Sequence, residues 1–228
     1  MNGNVKGVNT GIYVIDKANV LVKGDVTGND GGVYASGSES AVIVRGKTTA
    51  VTGVGVFVAE GGNILAHGAI EAVTCGARIS NGGTITAKKA ITATGADGVG
   101  ACLTGGGSGG GRMTIDGDIT AINYINVGGT IKLKSDGVAD LAKPGYTKYT
   151  DGEDRVVWVK AIPSTDITSS FTDPNFLRAV RTKLGKGADA PIYTADVAEV
   201  TSLDVSSRSI DSLAGIKHFT ALITLNCS

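Results

Sequence analysis

Aromatic side chains recur in this chain at a spacing that could build a binding surface. Tyr13, Tyr34, Phe57 and Tyr124 each lie within a short apolar run, although aromatic residues make up only 5% of the sequence. Rings aligned on one surface can stack against sugar rings or cover part of a protein partner. Rings paired across neighbouring strands also stabilise a β-surface without any ligand. These four residues are the candidate ligand-binding site, and mutual stabilisation is the alternative.

Residues capable of acid–base chemistry are dispersed along the chain. Five aspartates fall in turns, where aspartate is common because its side chain bonds the local backbone: Asp25, Asp30, Asp97, Asp116 and Asp118. The two histidines, His67 and His218, are far apart in sequence. No pair of carboxylates recurs at the same position of successive apolar runs. The pattern predicts no catalytic residues.

The cysteines and the glycine-rich run give no sign of a metal or a cofactor. Cys75, Cys102 and Cys227 are scattered and form no CxxC pair, so neither a metal site nor a disulfide framework is indicated. Cys102 is expected to be a small buried apolar residue. The run from Gly105 to Gly111 matches GxGxxG only because it is almost all glycine, and no helical pattern follows it. A flexible surface loop is the expected structure there.

Charge and hydropathy exclude two classes of partner. Lys plus Arg and Asp plus Glu number 21 each, so the net charge is zero and no basic footprint for nucleic acid is present. No run approaches the roughly 20 apolar residues that span a bilayer. The opening MNGNVKGVNTG is polar and does not resemble a signal peptide.

The elements that would position these residues repeat along the chain. Gly3, Gly24, Gly46 and Gly68 open stretches of the same pattern, and further repeats begin at Lys89 and Gly117. Each repeat holds three short apolar runs separated by turns. A period near 22 residues with strand-like runs is typical of a solenoid whose coils bury their apolar faces against one another.

Aligning the repeats predicts which side chains share the interior, because residues i and i+2 of a strand face the same side. Three two-residue faces per coil predict a mostly β chain, with a three-faced right-handed parallel β-helix of about six coils over residues 1–134. The inward rows expected from the alignment are as follows: Ile12, Val33, Val56, Ala77, Gly100, Asn123; Val14, Ala35, Val58, Ile79, Cys102, Ile125; Val20, Val42, Ile64, Ile85, Met113, Ile131; Val22, Val44, Ala66, Ala87, Ile115, Leu133; Val5, Val26, Thr48, Ile70, Ile91, Ile119; Gly7, Gly28, Ala50, Ala72, Ala93, Ala121.

The remaining positions of each run are expected to face outward. Leu21, Ile43 and Leu65 form an apolar outward row, which predicts a contact with another domain or another copy of the chain. Gly3 is already in phase with the repeat, so we expect a longer parent protein or a capping partner.

The pattern changes after Leu133. Residues 135–162 predict a β-hairpin cap and linker, with strands Tyr146 to Thr150 and Arg155 to Ala161 around an Asp-Gly turn. Trp158 is expected to pack on the end of the coil stack.

Residues 163–228 change to a helical period and then to a second repeat. Thr172 or Asp173 can cap a helix that continues through Phe176 and Val180 and stops at Gly185. The segment from Leu203 to Leu225 has the pattern LxVxxxxIxxLxxIxxFxxLxxL, which resembles the leucine-rich repeats of bacterial internalin-like surface proteins. The resemblance implies a helical N-terminal cap followed by a truncated first repeat. Arg208 departs from it, because the family commonly has asparagine there.

This resemblance, together with the β-helix, implies a non-catalytic fragment of a bacterial cell-surface or secreted protein. The solenoid would be a stalk or adhesive scaffold, and the leucine-rich part would recognise protein or carbohydrate on a host or neighbouring cell. The implied location is extracellular. A polysaccharide-active lyase or hydrolase is the alternative, since such enzymes share the β-helix, and a purely structural spacer is the third possibility.

Overall fold

The computed structural model describes residues 1–105, 110–161, 165–198 and 200–227. The chain divides into two compact units, unit 1 (Met1–Lys160) and unit 2 (Ala161–Ser228).

Unit 1 is built from short strands joined by tight turns. In chain order they are β1 (Val5–Lys6), β2 (Thr10–Val14), β3 (Asn19–Val22), β4 (Val26–Gly28), β5 (Gly31–Ser36), β6 (Ala41–Val44), β7 (Thr48–Ala50), β8 (Val54–Ala59), β9 (Asn63–Ala66), β10 (Ile70–Ala72), β11 (Cys75–Ser80), β12 (Gly83–Ala87), β13 (Ile91–Ala93), β14 (Val99–Thr104), β15 (Gly111–Ile115), β16 (Ile119–Ala121), β17 (Asn123–Val127), β18 (Thr130–Lys132), β19 (Val138–Ala139), β20 (Tyr146–Thr150) and β21 (Val156–Lys160).

Every third strand joins the same sheet, so the chain coils through three sheets in turn. Sheet A has the order β1-β4-β7-β10-β13-β16, sheet B the order β18-β17-β14-β11-β8-β5-β2, and sheet C the order β19-β20-β21-β15-β12-β9-β6-β3. Neighbours from successive coils pair in parallel. Unit 1 is therefore a parallel β-solenoid, as the repeat predicts.

The interior is filled by rows of aliphatic side chains from all three sheets. In sheet A the rows that start at Val5 and Gly7 keep the predicted register through Ile119 and Ala121. In sheet C the rows from Val20 and Val22 also keep the predicted register over the first five coils. Buried aliphatic side chains supply about 1.5–3 kcal/mol each, so these shared rows hold the coils together.

A row of glycines lets sheets A and B meet closely at one corner of each coil. Its members are Gly11, Gly32, Gly55, Gly76 and Gly100. A Cβ atom on Gly55 would lie 2.4 Å from Cγ2 of Ile70 and 2.5 Å from the carbonyl oxygen of Gly76. Only a residue without a side chain fits, because the β-branched side chain of the next coil occupies that space.

The predicted register of sheet B was wrong in the last two coils. Ala77 pairs with Ala101, and Ala101 with Ile125, so Ala101 takes the inward position assigned to Gly100. Cys102 therefore lies in the outward row, opposite Arg78. The run Val-Gly-Ala-Cys-Leu has no polar alternation, so the sequence pattern alone could not fix which residues face the core.

The last coil of sheet C also differs from the prediction. Ile131 and Leu133 were expected inside but are 40% and 59% exposed. Gly128 and Gly129, both with positive φ, form a two-residue turn that sends β18 back antiparallel to β17. Val157 and Val159 of β21 take the vacated inward positions, because β21 pairs in parallel with β15. The predicted hairpin of β20 and β21 thus extends sheet C.

Unit 2 has its own small core. Its elements are α1 (Pro174–Lys183), α2 (Thr194–Val197), β22 (Ser202–Asp204) and β23 (Thr224–Asn226). The predicted helix start is confirmed: Asp173 is the N-cap, and its side chain accepts hydrogen bonds from the Asn175 and Phe176 amides. The helix ends at Lys183, and Gly185 has a φ of +66°.

The two strands of unit 2 are parallel and one repeat apart. Leu203 pairs with Leu225, as the 22-residue spacing predicts. Leu203 and Val205 pack in a cluster with Phe176 and Phe219. The carboxylate of Asp173 links the helix to this segment, since Oδ2 accepts hydrogen bonds from the amides of Asp211 and Ser212 at 2.7 and 3.1 Å.

The glycine row generates a stability prediction. Gly32→Ala should lower the free energy of unfolding by about 1–3 kcal/mol, because its Cβ would lie 2.4 Å from Cγ2 of Thr48. Gly31→Ala, the neighbouring control, would make only ordinary contacts of 3.4 Å and longer and should be neutral or slightly stabilising. Urea unfolding followed by the fluorescence of Trp158, the lone tryptophan, measures both. Equal unfolding midpoints for the two variants would contradict the packing argument.

Asp173 generates a pH prediction for unit 2. Hydrogen bonds from the Phe176 amide first, and from Asp211, Ser212 and Asn175, lower the pKa of Asp173 below its ordinary value. The stabilisation should be complete above the ordinary aspartate pKa and should be lost as the pH falls through the lowered, folded-state pKa.

Hydrogen exchange of the Phe176 and Asp211 amides tests this. Asp173→Asn should accelerate exchange at one of the two amides, because asparagine keeps one acceptor oxygen and its NH₂ group replaces either the Oδ1 bonded by Phe176 or the Oδ2 bonded by Asp211. The exposed Asp189→Asn is the control. Unchanged exchange in Asp173→Asn would show that the carboxylate does not hold the two segments together.

Candidate functional site

The outward face of sheet B carries the predicted aromatic residues. Tyr13 pairs with Tyr34, and Tyr34 with Phe57, on the strands β2, β5 and β8. Their neighbours inside the strands point into the core, so alternation directs the rings outward. We call Tyr13, Tyr34 and Phe57 the ring row. Beyond Phe57 the row continues with Arg78, Cys102 and Asn126.

The rings contact one another closely. The centroids of Tyr13 and Tyr34 are 4.6 Å apart with planes 12° from parallel, and Tyr34 meets Phe57 edge-on at 5.2 Å. The guanidinium carbon of Arg78 lies 5.2 Å from the Phe57 ring centroid. These contacts occupy the space between successive rings, which favours the alternative role of stabilising the sheet. Tyr13, at 62% exposure, has the most ring surface open to a ligand.

Tyr124 does not belong to the ring row. Ala101 pairs with Ile125, so Tyr124 falls in line with Gly100 and the other corner glycines. It is half-buried against the core, and its ring lies 5.6 Å from that of Tyr149. The predicted aromatic row of four residues therefore has three members. The error in Tyr124 follows from the register of sheet B, in which β14 and then β17 are each shifted by one residue against the preceding strand relative to the prediction.

A groove lies beside the ring row, where sheet B turns into sheet C. We call it the corner groove; it has a volume of about 410 Å³ and is lined by Ile15, Asp16, Lys17, Ser36, Gly37, Ser38 and Glu60. Ile15, the first residue after β2, and Ser36, the last residue of β5, lie two residues beyond Tyr13 and Tyr34. Tyr13 and Ile15 are both exposed on either side of the buried Val14, so the groove adjoins the outward side of the ring row.

The backbone at this corner is left-handed. Asp16, Gly37 and Glu60 each follow the last inward residue of their strand by two positions, and their φ values are +55°, +93° and +49°. Gly37, which has no side chain, takes the position between Asp16 and Glu60 in this row, and all three line the groove. The repeat pattern did not predict this site, although Asp16, Gly37 and Glu60 occupy equivalent positions of successive coils.

Charges in the corner groove are only partly neutralised. Lys17 pairs with Glu39 through a 3.1 Å Nζ–Oε1 contact. Glu60 accepts a hydrogen bond of 3.2 Å from the Ser36 hydroxyl. Within the described residues, neither Asp16 nor Glu60 forms a salt bridge. The groove therefore presents net negative charge beside an exposed tyrosine.

The outward row of sheet C is apolar at its start. Leu21 and Ile43 are 40% and 36% exposed, and Leu65 is half-buried. The row continues through Thr86 and Thr114 to Trp158, where Lys132 was expected. β18 turns away before it could supply that residue.

A polar loop, residues 140–146, covers the end of this row. Lys143 lies 4.5 and 4.7 Å from the ring centroids of Tyr146 and Trp158, and its ammonium donates to the Thr114 hydroxyl at 2.7 Å. The indole of Trp158 donates to Asp140 at 2.6 Å. Burial lowers the pKa of Lys143, and the charge of Asp116 opposes that effect. The sequence pattern does not predict these contacts, because they join residues far apart in the chain.

The turn aspartates serve local structure. Asp25 accepts a 2.7 Å hydrogen bond from the Lys47 amide of the next coil, and Asp30 accepts one from the Thr52 hydroxyl. Burial disfavours ionisation of Asp116, but hydrogen bonds from Lys88 and Tyr146 outweigh it and lower the pKa of Asp116. In the described part of the chain, no group of three or more His, Cys, Asp or Glu side chains is placed to hold a metal.

Two cysteines differ from expectation. Cys75 on β11 and Cys102 on β14 form a disulfide between adjacent strands, with Cα atoms 6.7 Å apart. Cys102 is buried, as expected, but it is bonded and lies in the outward row. Cys227 is free and exposed. Of the glycine-rich run, residues 106–109 lie outside the described residues.

Comparisons with known proteins identify no relative: no family model, no curated protein and no solved structure matches the chain. Among the described residues, no helix is long and apolar enough to cross a membrane.

The disulfide gives a testable prediction. Under non-reducing conditions the unfolded protein should expose one thiol, from Cys227, and three after reduction. Replacing Cys75 and Cys102 by serine together should lower the free energy of unfolding by about 2–4 kcal/mol. Cys227→Ser is the matched control and should leave stability unchanged. Three reactive thiols in the unreduced protein would contradict the pairing.

Proposed function

We propose that this chain is a non-catalytic scaffold from a bacterial cell-surface or secreted protein. In this proposal the solenoid acts as a stalk that presents a recognition surface on sheet B. Unit 2 is the cap and first repeat of an internalin-like leucine-rich array that recognises protein or glycan. The observation that carries the proposal is the exposed ring of Tyr13 beside the open corner groove on a rigid stack of strands.

Two further features support this assignment. Disulfides such as Cys75–Cys102 persist mainly in oxidising, extracellular compartments. In unit 2, the parallel pairing of Leu203 with Leu225 and the buried cluster around them fit one repeat of the resembled family. The apolar row of Leu21, Ile43 and Leu65 is where another domain or another copy would make contact.

The dispersal of the turn aspartates weighs against the polysaccharide-active enzyme. The two acidic residues of the corner groove, Asp16 and Glu60, are exposed to water, whereas the general acid of a glycosidase needs an environment that excludes it. A glycosidase needs two carboxyl groups about 5–10 Å apart on either side of the scissile bond. Asp25, Asp30 and Asp116 are instead engaged in hydrogen bonds at separate turns. The spacer alternative differs from the leading proposal in one respect, which is that it requires no ligand.

Binding to a glycan array and to candidate surface proteins tests the proposal. Tyr13→Ala should weaken a detected interaction about tenfold, the effect of losing one buried aromatic contact. Tyr13→Phe keeps the ring and is the matched control, so it should bind nearly as the parent does. If Tyr13→Ala bound every detected ligand as the parent does, recognition at sheet B would be refuted. If no ligand bound at all, the spacer would be favoured.

A further inference from the structure

The corner groove combines charge with an exposed ring, and the charge is the first clue to its ligand. Lys17 is engaged by Glu39, which leaves the carboxylates of Asp16 and Glu60 as the uncompensated charges in the groove. Both are exposed to solvent. A ligand with positive charge would complement them, whereas an acidic ligand would be repelled.

The spacing of these groups is the second clue. Asp16 and Glu60 follow β2 and β8, which are two strands apart, so their backbones are separated by about 10 Å, twice the distance between neighbouring strands. Gly37 takes the position between them and contributes no side chain. Ser36 and the exposed Ser38 also line the groove. Its volume of about 410 Å³ is in the range of small-ligand sites and can hold a sugar ring, with an acidic residue on either side of Gly37.

The ring row supplies the third clue. Tyr13 of β2 and Ile15, the first residue after it, are both exposed, whereas Val14 between them is buried, so the two side chains project from the same side of the chain. A ligand that fills the groove therefore reaches the exposed ring of Tyr13. Aromatic faces bind the C–H face of a pyranose through apolar contact, and an ammonium beside a ring adds a cation–π attraction.

We infer that the corner groove binds an oligosaccharide with free amino groups, such as a deacetylated amino-sugar polymer. The ammonium groups would pair with Asp16 and Glu60, a sugar hydroxyl would bond with Ser38, and one pyranose would lie against Tyr13. This inference rests on the proposed function, which it narrows from glycans in general to cationic ones.

Calorimetric titration with a tetramer of β-1,4-linked glucosamine tests the inference, with the fully N-acetylated tetramer as comparison. The free-amine tetramer should bind at least about tenfold more tightly, since a charge-assisted contact is lost on acetylation. Its affinity should fall as salt is raised from about 50 to 300 mM, because exposed charge pairs are screened.

Variants locate the binding. Asp16→Asn and Glu60→Gln preserve side-chain size, and each should weaken binding of the free-amine tetramer about tenfold. Glu153→Gln removes the same charge at the exposed turn of the hairpin and should have no effect. Tyr13→Ala should weaken both tetramers alike.

The outcomes separate this inference from the proposed function. Equal binding of the two tetramers, or binding that Asp16→Asn and Glu60→Gln leave unchanged, would overturn the inference. A lysine-rich peptide that competed equally well at the same site would also overturn it, since the groove would then select charge and not sugar. Other ligands that still depended on Tyr13 would leave the proposed function intact.

Discussion

Unit 1 depends on the close contact between sheets A and B at the corner glycines. The side chain of Thr48 or Ile70 from one coil fills the space where a Cβ of Gly32 or Gly55 from the preceding coil would stand. This interlocking fixes the position of each coil against the next, in addition to the backbone hydrogen bonds. A packed interior tolerates little change in volume, so the register follows from this contact. The outward rows, and with them the ring row, are aligned as a consequence.

Much of this fold could be predicted from the sequence because its signals are local and repeated. The rows of sheet A, the first five coils of sheet C, the hairpin and the helix capped by Asp173 all follow from two-residue or 3.6-residue periods and from turn chemistry. The register of β14 was mispredicted because Ala101, Cys102 and Leu103 are all apolar: one phase places Ala101 and Leu103 in the core, and the other places Cys102 there beside Gly100. The Gly128-Gly129 pair between two apolar runs is a recognisable signal for a two-residue hairpin turn. It was overlooked because the 22-residue period predicted another parallel strand there.

The candidate site could be predicted only in part, for a related reason. Tyr13, Tyr34 and Phe57 stood in the alignment, but the contacts between their rings depend on side-chain angles that no spacing specifies. The corner groove arises from a missing side chain at Gly37 and from left-handed residues around it. Functional-group patterns in the sequence do not reveal a site that depends on the absence of a side chain. The Cys75–Cys102 disulfide joins residues that are not paired across β11 and β14. Aligning the repeats therefore does not place the two cysteines at equivalent positions and did not predict the bond.

The last strand of sheet C comes from a distant part of the chain. Val157 of β21 pairs with Met113 of β15, and the five strands from β16 to β20 intervene in sequence. During synthesis β15 therefore emerges well before its partner, and its hydrogen-bonding edge stays open until the hairpin has left the ribosome. Open edges of this kind are where nascent chains associate wrongly. The first five coils can thus fold in order from the N-terminus as they are synthesised. The sixth is completed only when β21 is available to pair with β15.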